Sequence, residues 1–240
     1  ETLSPMHFAS MSSAGHVQRL LAEWRQHGHS TSQITAAVNA KATDGEYVGG
    51  YSPLHYACQC ALPGAVTLLL DAGADPNQTK NNGATPLLCA IARAGCTPGK
   101  LRPYEQCMQL LFEHPRFDPD SNDQSGGARC SPAWVCVGQR YTAQDVLLPL
   151  LKLLLARGFD PNGIVREQSA LHMAVRNCHF ECALALVRAG AEVTATAPTG
   201  PDTEERWTVL EHCREAHGPA AASRLAEASA ASFAVAGVGK

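Results

Sequence analysis

Three features of this 240-residue sequence predict an all-α solenoid of about six stacked helix-turn-helix repeats with β-hairpin fingers. One unit runs from Gly50-Tyr51-Ser52-Pro53-Leu54-His55-Tyr56-Ala57 through Leu68-Leu69-Leu70 to Gly73-Ala74-Asp75-Pro76-Asn77. It restarts at Gly83-Ala84-Thr85-Pro86-Leu87, so Pro53 and Pro86 stand 33 residues apart. The Ser/Thr-Pro start recurs along the chain, and glycines close the apolar helical runs. A repeat of roughly 20–50 residues marks a unit too thin to bury its own apolar face, which it buries by stacking on its neighbours.

The first helix of each unit is set by its start. The motif appears as Ser4-Pro5-Met6-His7-Phe8-Ala9, again at Ser52-Pro53, then as Thr85-Pro86-Leu87-Leu88-Cys89-Ala90 and Ser131-Pro132-Ala133-Trp134-Val135-Cys136. It weakens to Ser169-Ala170-Leu171-His172-Met173-Ala174, and Thr208-Val209-Leu210-Glu211-His212-Cys213 keeps only the Thr, the Leu and the small residue. A Ser or Thr hydroxyl accepts from free N–H groups at a helix start, and Pro at the first helical position loses no useful donor. Second helices are read from Val17 to Leu21, Val66 to Leu70, Cys107 to Phe112, Leu150 to Leu155 and Ala183 to Val187. Gly73, Gly158 and Gly190 sit where these helices stop, because glycine enters the left-handed region without strain. Asp75-Pro76-Asn77 and Asp160-Pro161-Asn162 then turn the chain toward the finger.

Departures from the template spacing locate insertions. Leu21 to Asn39 is 11 residues longer than Leu70 to Asn77, and Asn39 to Pro53 is 5 longer than Asn77 to Pro86, so the first repeat is elaborated in its second helix and finger. The third and fourth repeats gain 8 and 6 residues between their helices, from the Pro86 to Leu111 and Pro132 to Leu155 spacings, and the fifth holds its excess in the finger around Pro198 to Asp202. The expected organisation is a single domain over 1–240, with repeats near 1–49, 50–82, 83–128, 129–166 and 167–205. A degenerate C-terminal cap follows at 206–236, where Arg224, Leu225 and Phe233 form a sealing helix.

These residues resemble the ankyrin-repeat family over at least residues 3 to 213. The resemblance implies a β-hairpin and two antiparallel helices per repeat, stacked so that a concave side binds proteins, and it implies no catalysis. Leu88 and Trp134 depart from the family's histidine, which ties neighbouring loops together, and Arg129 replaces a finger glycine. Stacking of the third and fourth repeats is expected to be less regular. Cys58, Cys89, Cys136 and Cys213 stand where the family places small buried residues, so the ten cysteines read as reduced thiols of a cytoplasmic or nuclear protein.

Composition excludes several classes. With 45% apolar and 17% charged residues and a formal charge of −3, the chain is neither compositionally disordered nor basic enough to advertise nucleic acid. Its most apolar run, Val146 to Ala156, holds Pro149 and Lys152 and falls short of the roughly 18 residues a membrane span needs. The chain opens at Glu1 with no signal-peptide pattern and reads as a segment of something longer.

Candidate chemistry resolves into repeat structure. Asp118-Pro119-Asp120-Ser121-Asn122-Asp123 spaces oxygens like a calcium loop, yet Asp123 holds the required glycine position and Arg129 that of the bidentate Glu. Gly95 to Lys100 is one residue short of a phosphate loop, and Leu101 replaces the Mg-binding hydroxyl. Cys178, His179 and Cys182 lack a fourth zinc ligand, and Cys58 with Cys60 lacks a partner pair. His7, His55 and His172 share one offset from their helix starts and read as structural residues. No catalytic, cofactor or metal site is expected.

Carrying over the family's exposed concave positions gives Tyr51, Gln59, Cys60, Asn81, Asn82, Arg93, Arg129, Gln139, Arg140, Arg166, Gln168, Arg176, Asn177 and Trp207 as partner-binding candidates. Arginine presents a planar fork suited to carboxylate or phosphate, and Tyr and Trp supply anchor area. The expectation is a non-catalytic adaptor or scaffold module that seats an acidic or phosphorylated segment of a protein partner; a monomer without membrane insertion is favoured. The alternative is a regulatory or substrate-recruiting domain of a larger enzyme such as a kinase, a palmitoyltransferase or a ubiquitin-ligase receptor. Asn77 and Asn162 also resemble the family's asparagine-hydroxylation consensus.

Overall fold

The computed structural model describes residues 4–43, 49–97, 99–119, 131–140, 142–165, 167–198 and 206–237, the last six by backbone alone. Helix packing groups them into two units, Glu1–Gly127 and Ala128–Lys240.

The first unit holds α1 (Pro5–Ser12), α2 (Ala14–Gln26), α3 (Thr31–Val38), α4 (Pro53–Gln59), α5 (Pro63–Asp71), α6 (Pro86–Ala94) and α7 (Leu101–Glu113). First helices stack on first helices, α1 on α4 on α6, and second helices likewise, α2 on α5 on α7. Met6, Val17, Leu54, Val66, Leu69, Leu87, Ile91, Met108 and Leu111 are buried along the shared seam. The predicted starts are real. The Ser4 and Ser52 N–H groups each donate to the Nδ1 of the histidine three residues on, both at 3.1 Å. That leaves Nε2 as the donor, and it reaches the next repeat: His7 to the Tyr51 carbonyl and His55 to the Ala84 carbonyl, both at 3.0 Å.

The second unit holds α8 (Pro132–Val137), α9 (Gln144–Ala156), β1 (Ile164–Val165), β2 (Gln168–Ser169), α10 (Ala170–Arg176), α11 (Phe180–Arg188), β3 (Thr196–Pro198), β4 (Arg206–Thr208), α12 (Val209–His217) and α13 (Pro219–Gly237). Its fingers are antiparallel hairpins, with Val165 opposite Gln168 and Ala197 opposite Trp207. The faded last start still works: the Thr208 hydroxyl accepts from Glu211 N at 3.3 Å while Thr208 N donates to the Glu211 carboxylate at 2.7 Å. The expected sealing helix is α13, which buries Leu225 and lays Arg224 over the Phe180 ring at 4.9 Å; the Phe233 side chain lies outside the described residues.

The insertions of the first, third and fourth repeats take a form that spacing predicted only in part. The first repeat runs α2 to 13 residues against 9 for α5, as its spacing predicted, and folds further extra residues into the separate helix α3, opened by a capping box of Ser30 and Gln33. In the third and fourth repeats the extra residues are shared between a connecting loop and the second helix, since α7 and α9 each run 13 residues against 9 for α5.

Candidate functional site

In the first unit the candidate residues lie just before each capping Ser or Thr and at the ends of the first helices. Tyr51 is half-buried, stacked on Tyr56 with ring centroids 4.9 Å apart. Lys80 Nζ donates to its hydroxyl at 2.9 Å and lies 4.3 Å from its ring centroid. Asn81 and Asn82 are exposed at the next finger, where Asn82 Oδ1 accepts from Ala84 N at 3.2 Å. Gln59 ends α4 and Cys60 caps it, both half-buried, and the Gln59 carbonyl accepts from Tyr104 Oη at 3.0 Å. Arg93 is exposed on the last turn of α6.

The neighbouring charges belong to lysines that the sequence reading passed over. Lys80 and Lys41 both act on His55, and Arg93 and Lys100 both act on Cys60. Burial is the main influence in each case. It pushes His55 down from 6.5 to about 3, with the Ala84 carbonyl pulling upward, and it raises the Cys60 thiol against the opposing pull of Arg93 and Lys100. The Lys80-Asn81-Asn82 run carried the signal, because the fingertip residue beside a predicted site is itself exposed to the same partner.

In the second unit Arg140 and Arg176 are exposed, and Arg176 Nη1 reaches Gln168 Oε1 at 3.5 Å, so two predicted residues meet. Trp207 is half-buried on β4, edge-on to His212 at 5.3 Å. Gln139 and Asn177 serve the scaffold: the Gln139 carbonyl accepts from His179 Nε2 at 3.2 Å, and Asn177 Nδ2 donates to the Val137 carbonyl at 2.9 Å. Arg206, which the sequence reading missed, pairs with Glu167 at 2.6 Å and ties the two fingers together. Arg129 and Arg166 lie outside the described residues.

Asn77 and Asn162 act as clamps between successive turns. Asn77 Nδ2 donates to the Arg116 carbonyl at 2.6 Å and its Oδ1 accepts from Asp118 N at 2.9 Å. Asn162 repeats this with the Gly190 carbonyl and Glu192 N at 3.2 and 2.9 Å. Asn39 makes the same pair of bonds to the Gly73 carbonyl and Asp75 N, at 3.0 and 2.7 Å, a third instance that no sequence motif marked.

The rejected chemistry has its place too. Gly95 to Lys100, with Pro98 outside the described residues, connects α6 to α7, and Asp120 to Arg129 of the calcium-like run also lies outside them. Among the described residues no group of three or more His, Cys, Asp or Glu is placed to hold a metal. No helix among them is long and apolar enough to cross a membrane.

Stacked helical hairpins with histidine and asparagine ties between neighbours define a repeat protein of the interaction class. The family model for ankyrin repeats in three copies matches residues 6–123, and that for a single ankyrin repeat matches residues 166–197. The two take in more than half of the chain, which belongs to the ankyrin-repeat family. Among curated proteins it is similar to the 2-5A-dependent ribonuclease of Mus musculus, 47% identical over 51 residues. Those residues are 21% of this chain and 7% of that protein. The Homo sapiens 2-5A-dependent ribonuclease is 54% identical over 48 residues, 20% of this chain and 6% of the relative. The chain therefore matches less than a tenth of the length of these relatives. Among solved structures, the ankyrin repeat domain of Bcl-3, described as a unique member of the IkappaB protein family, aligns with a TM-score of 0.64. That alignment is 23% identical and covers 94% of this chain and 86% of that one. The human ASB11 ankyrin repeat domain aligns at 0.60 and 19% identity, covering 93% and 84%. At these identities the two structures speak to the fold alone.

Proposed function

We propose that this chain is a non-catalytic adaptor or scaffold module whose finger-side faces seat an acidic or phosphorylated segment of a protein partner. The observation that carries this reading is the division of labour among its polar residues. Histidines, asparagines and capping hydroxyls bond to backbone within the stack, whereas Arg93, Arg140 and Arg176 are exposed. Of the ion pairs found among the described residues, none uses these three arginines; they use Arg206 and Arg224. A forked cation with no acidic partner among the described residues suits a bidentate carboxylate or phosphate. Unpaired cysteines throughout the described residues support a cytoplasmic or nuclear setting.

The test is charge reversal. A variant with Arg93→Glu, Arg140→Glu and Arg176→Glu is expected to lose retention on immobilised phosphoserine and polyglutamate peptides by about tenfold or more, with its helical circular dichroism unchanged. Equal retention of variant and parent discards the acidic-partner reading. A second reading places the same repeats as the regulatory or recruiting part of a larger enzyme, favoured by the likeness to a short stretch of two long ribonucleases. The full-length reading frame decides between the two.

A further inference from the structure

The ends of α4 and α6 and the inserted connection to α7 meet on one short stretch of surface. Cys60 and Arg93 each stand seven residues after the proline of their helix start, so they occupy the same place on the packed pair α4 and α6. After Cys60 the chain enters its second helix at Pro63, whereas after Arg93 the inserted residues of the third repeat intervene before Leu101. A run of polar bonds folds that insertion back over the end of α4. Thr97 Oγ1 donates to the Arg93 carbonyl at 3.0 Å and lies 3.4 Å from Tyr104 Oη, which donates to the Gln59 carbonyl at 3.0 Å. Tyr104 is 2% exposed, so this tie is part of the packed interior.

The tie carries Lys100 to the same place. The Lys100 N–H donates to the Thr97 carbonyl at 3.3 Å, and its carbonyl accepts from Tyr104 N at 3.4 Å. Its side chain makes no capping bond to α7, and both Lys100 and Arg93 are exposed. These two cations are the charges that act on the Cys60 thiol. The surrounding sequence is one-sided, since Pro76 to Tyr104 holds Lys80, Arg93, Lys100 and Arg102 and no Asp or Glu. Of the ion pairs among the described residues, none uses Arg93 or Lys100.

Two cations brought from different elements to one point, with no carboxylate between them, suit an anion of more than one charge. A phosphomonoester carries about −1.5 to −2 charge and three acceptor oxygens, enough for the arginine fork and the lysine ammonium together. A carboxylate has a single charge and two oxygens, and the fork alone takes up both. We infer that Arg93 and Lys100 form a subsite beside Cys60 that seats a phosphorylated side chain of the protein partner and selects phosphate over carboxylate. This rests on the acidic-partner reading and narrows it: Arg93 belongs to the general attraction, and Lys100, brought in by the insertion, adds the selectivity.

Alkylation of Cys60 by iodoacetamide, a neutral reagent, reads the subsite at pH 8 in the 240-residue chain. Phosphate held by Arg93 and Lys100 cancels their pull on the thiolate and covers the sulfur. Inorganic phosphate is therefore expected to slow Cys60 about threefold or more relative to sodium chloride of the same ionic strength, half-maximally on the order of 1–10 mM. Sodium acetate is expected to act no differently from chloride, and exposed Cys178 in the second unit is the internal standard. Lys100→Gln is expected to raise the half-maximal phosphate concentration about tenfold with helical circular dichroism unchanged, and Lys100→Arg to keep it near that of the parent. Slowing by phosphate no greater than by chloride overturns the inference, as does equal slowing by acetate or an unshifted midpoint in Lys100→Gln. If the triple charge reversal loses the phosphoserine peptide while Cys60 is indifferent to phosphate, this subsite is overturned and the acidic-partner reading stands. Equal peptide retention by that variant and the parent discards both.

Discussion

His55 has both ring nitrogens bonded to backbone, accepting from Ser52 N through Nδ1 and donating to the Ala84 carbonyl through Nε2. That pattern needs the neutral ring, since a protonated Nδ1 has no lone pair for Ser52 N. Burial drives the same preference and takes the pKa down to about 3 from 6.5. A base whose folded pKa is depressed contributes stability that is present above its unfolded pKa and lost as pH falls toward the folded value. Between pH 6.5 and 5 the loss from His55 alone is about 1.5–2 kcal/mol. His172, pushed down to about 4 by burial and then by the neighbouring His212, acts in the same direction. Urea unfolding at the two pH values is expected to show this loss in the parent and a smaller one in His55→Ala, which is already less stable at pH 7. A midpoint that does not move between pH 6.5 and 5 contradicts a neutral, tied histidine.

At the scale of the element, α3 shows how an insertion is fastened to a repeat. Thr35 Oγ1 donates to the Ala72 carbonyl at 3.3 Å, and Asn39 at the end of α3 grips Gly73 and Asp75. Gly73 lies at φ +92°, and a Cβ there would meet Thr35 Oγ1 at 2.9 Å. Gly158 has a similar φ of +82°, but a Cβ would meet nothing within 4 Å. Both alanine substitutions bear the left-handed penalty of roughly 1–2 kcal/mol, so their difference isolates the contact with α3. Gly73→Ala is expected to cost about 1 kcal/mol more than Gly158→Ala and to speed amide exchange in α3; equal costs would show that Thr35 yields freely. The helix starts were legible in the sequence because capping is local chemistry: Ser4, Ser52, Thr85, Ser169 and Thr208 all begin helices as their motifs predicted. The lengths of α7 and α9 were not legible, since spacing counts residues and says nothing of their conformation. α3 was half legible, with Ser30 and Gln33 a capping box in plain view inside a stretch read only as excess. Of the candidate surface, the exposed arginines were found by position within the repeat. Lys80 and Lys100 were not, because their bearing on Tyr51, His55 and Cys60 is contact through space.

At the scale of the whole molecule, the cysteines report how far each unit excludes water. All nine described cysteines are free thiols; Cys130 lies outside the described residues. Cys58, Cys89, Cys107, Cys136, Cys182 and Cys213 are buried, Cys60 is half-buried, and Cys96 and Cys178 are exposed. Burial pushes the Cys89 thiol up to about 11 and those of Cys107 and Cys182 to about 12, and it raises Cys58 and Cys136 as well. The thiolate is the reactive form, so removal from water slows these sulfurs both by blocking access and by withholding charge. A pKa near 11 leaves only about one thiol in a thousand ionised at pH 8, before any steric protection. A disulfide reagent at pH 8 is therefore expected to modify Cys96 and Cys178 quickly and Cys60 more slowly. The six buried thiols wait for unfolding in urea, and a reducing agent leaves the melting temperature unchanged. Mass mapping of the modified peptides reads each site separately. Early modification of Cys58, Cys107 or Cys136 in the native protein would mean that the stacked hairpins open locally and that their apolar interior is no barrier to the reagent.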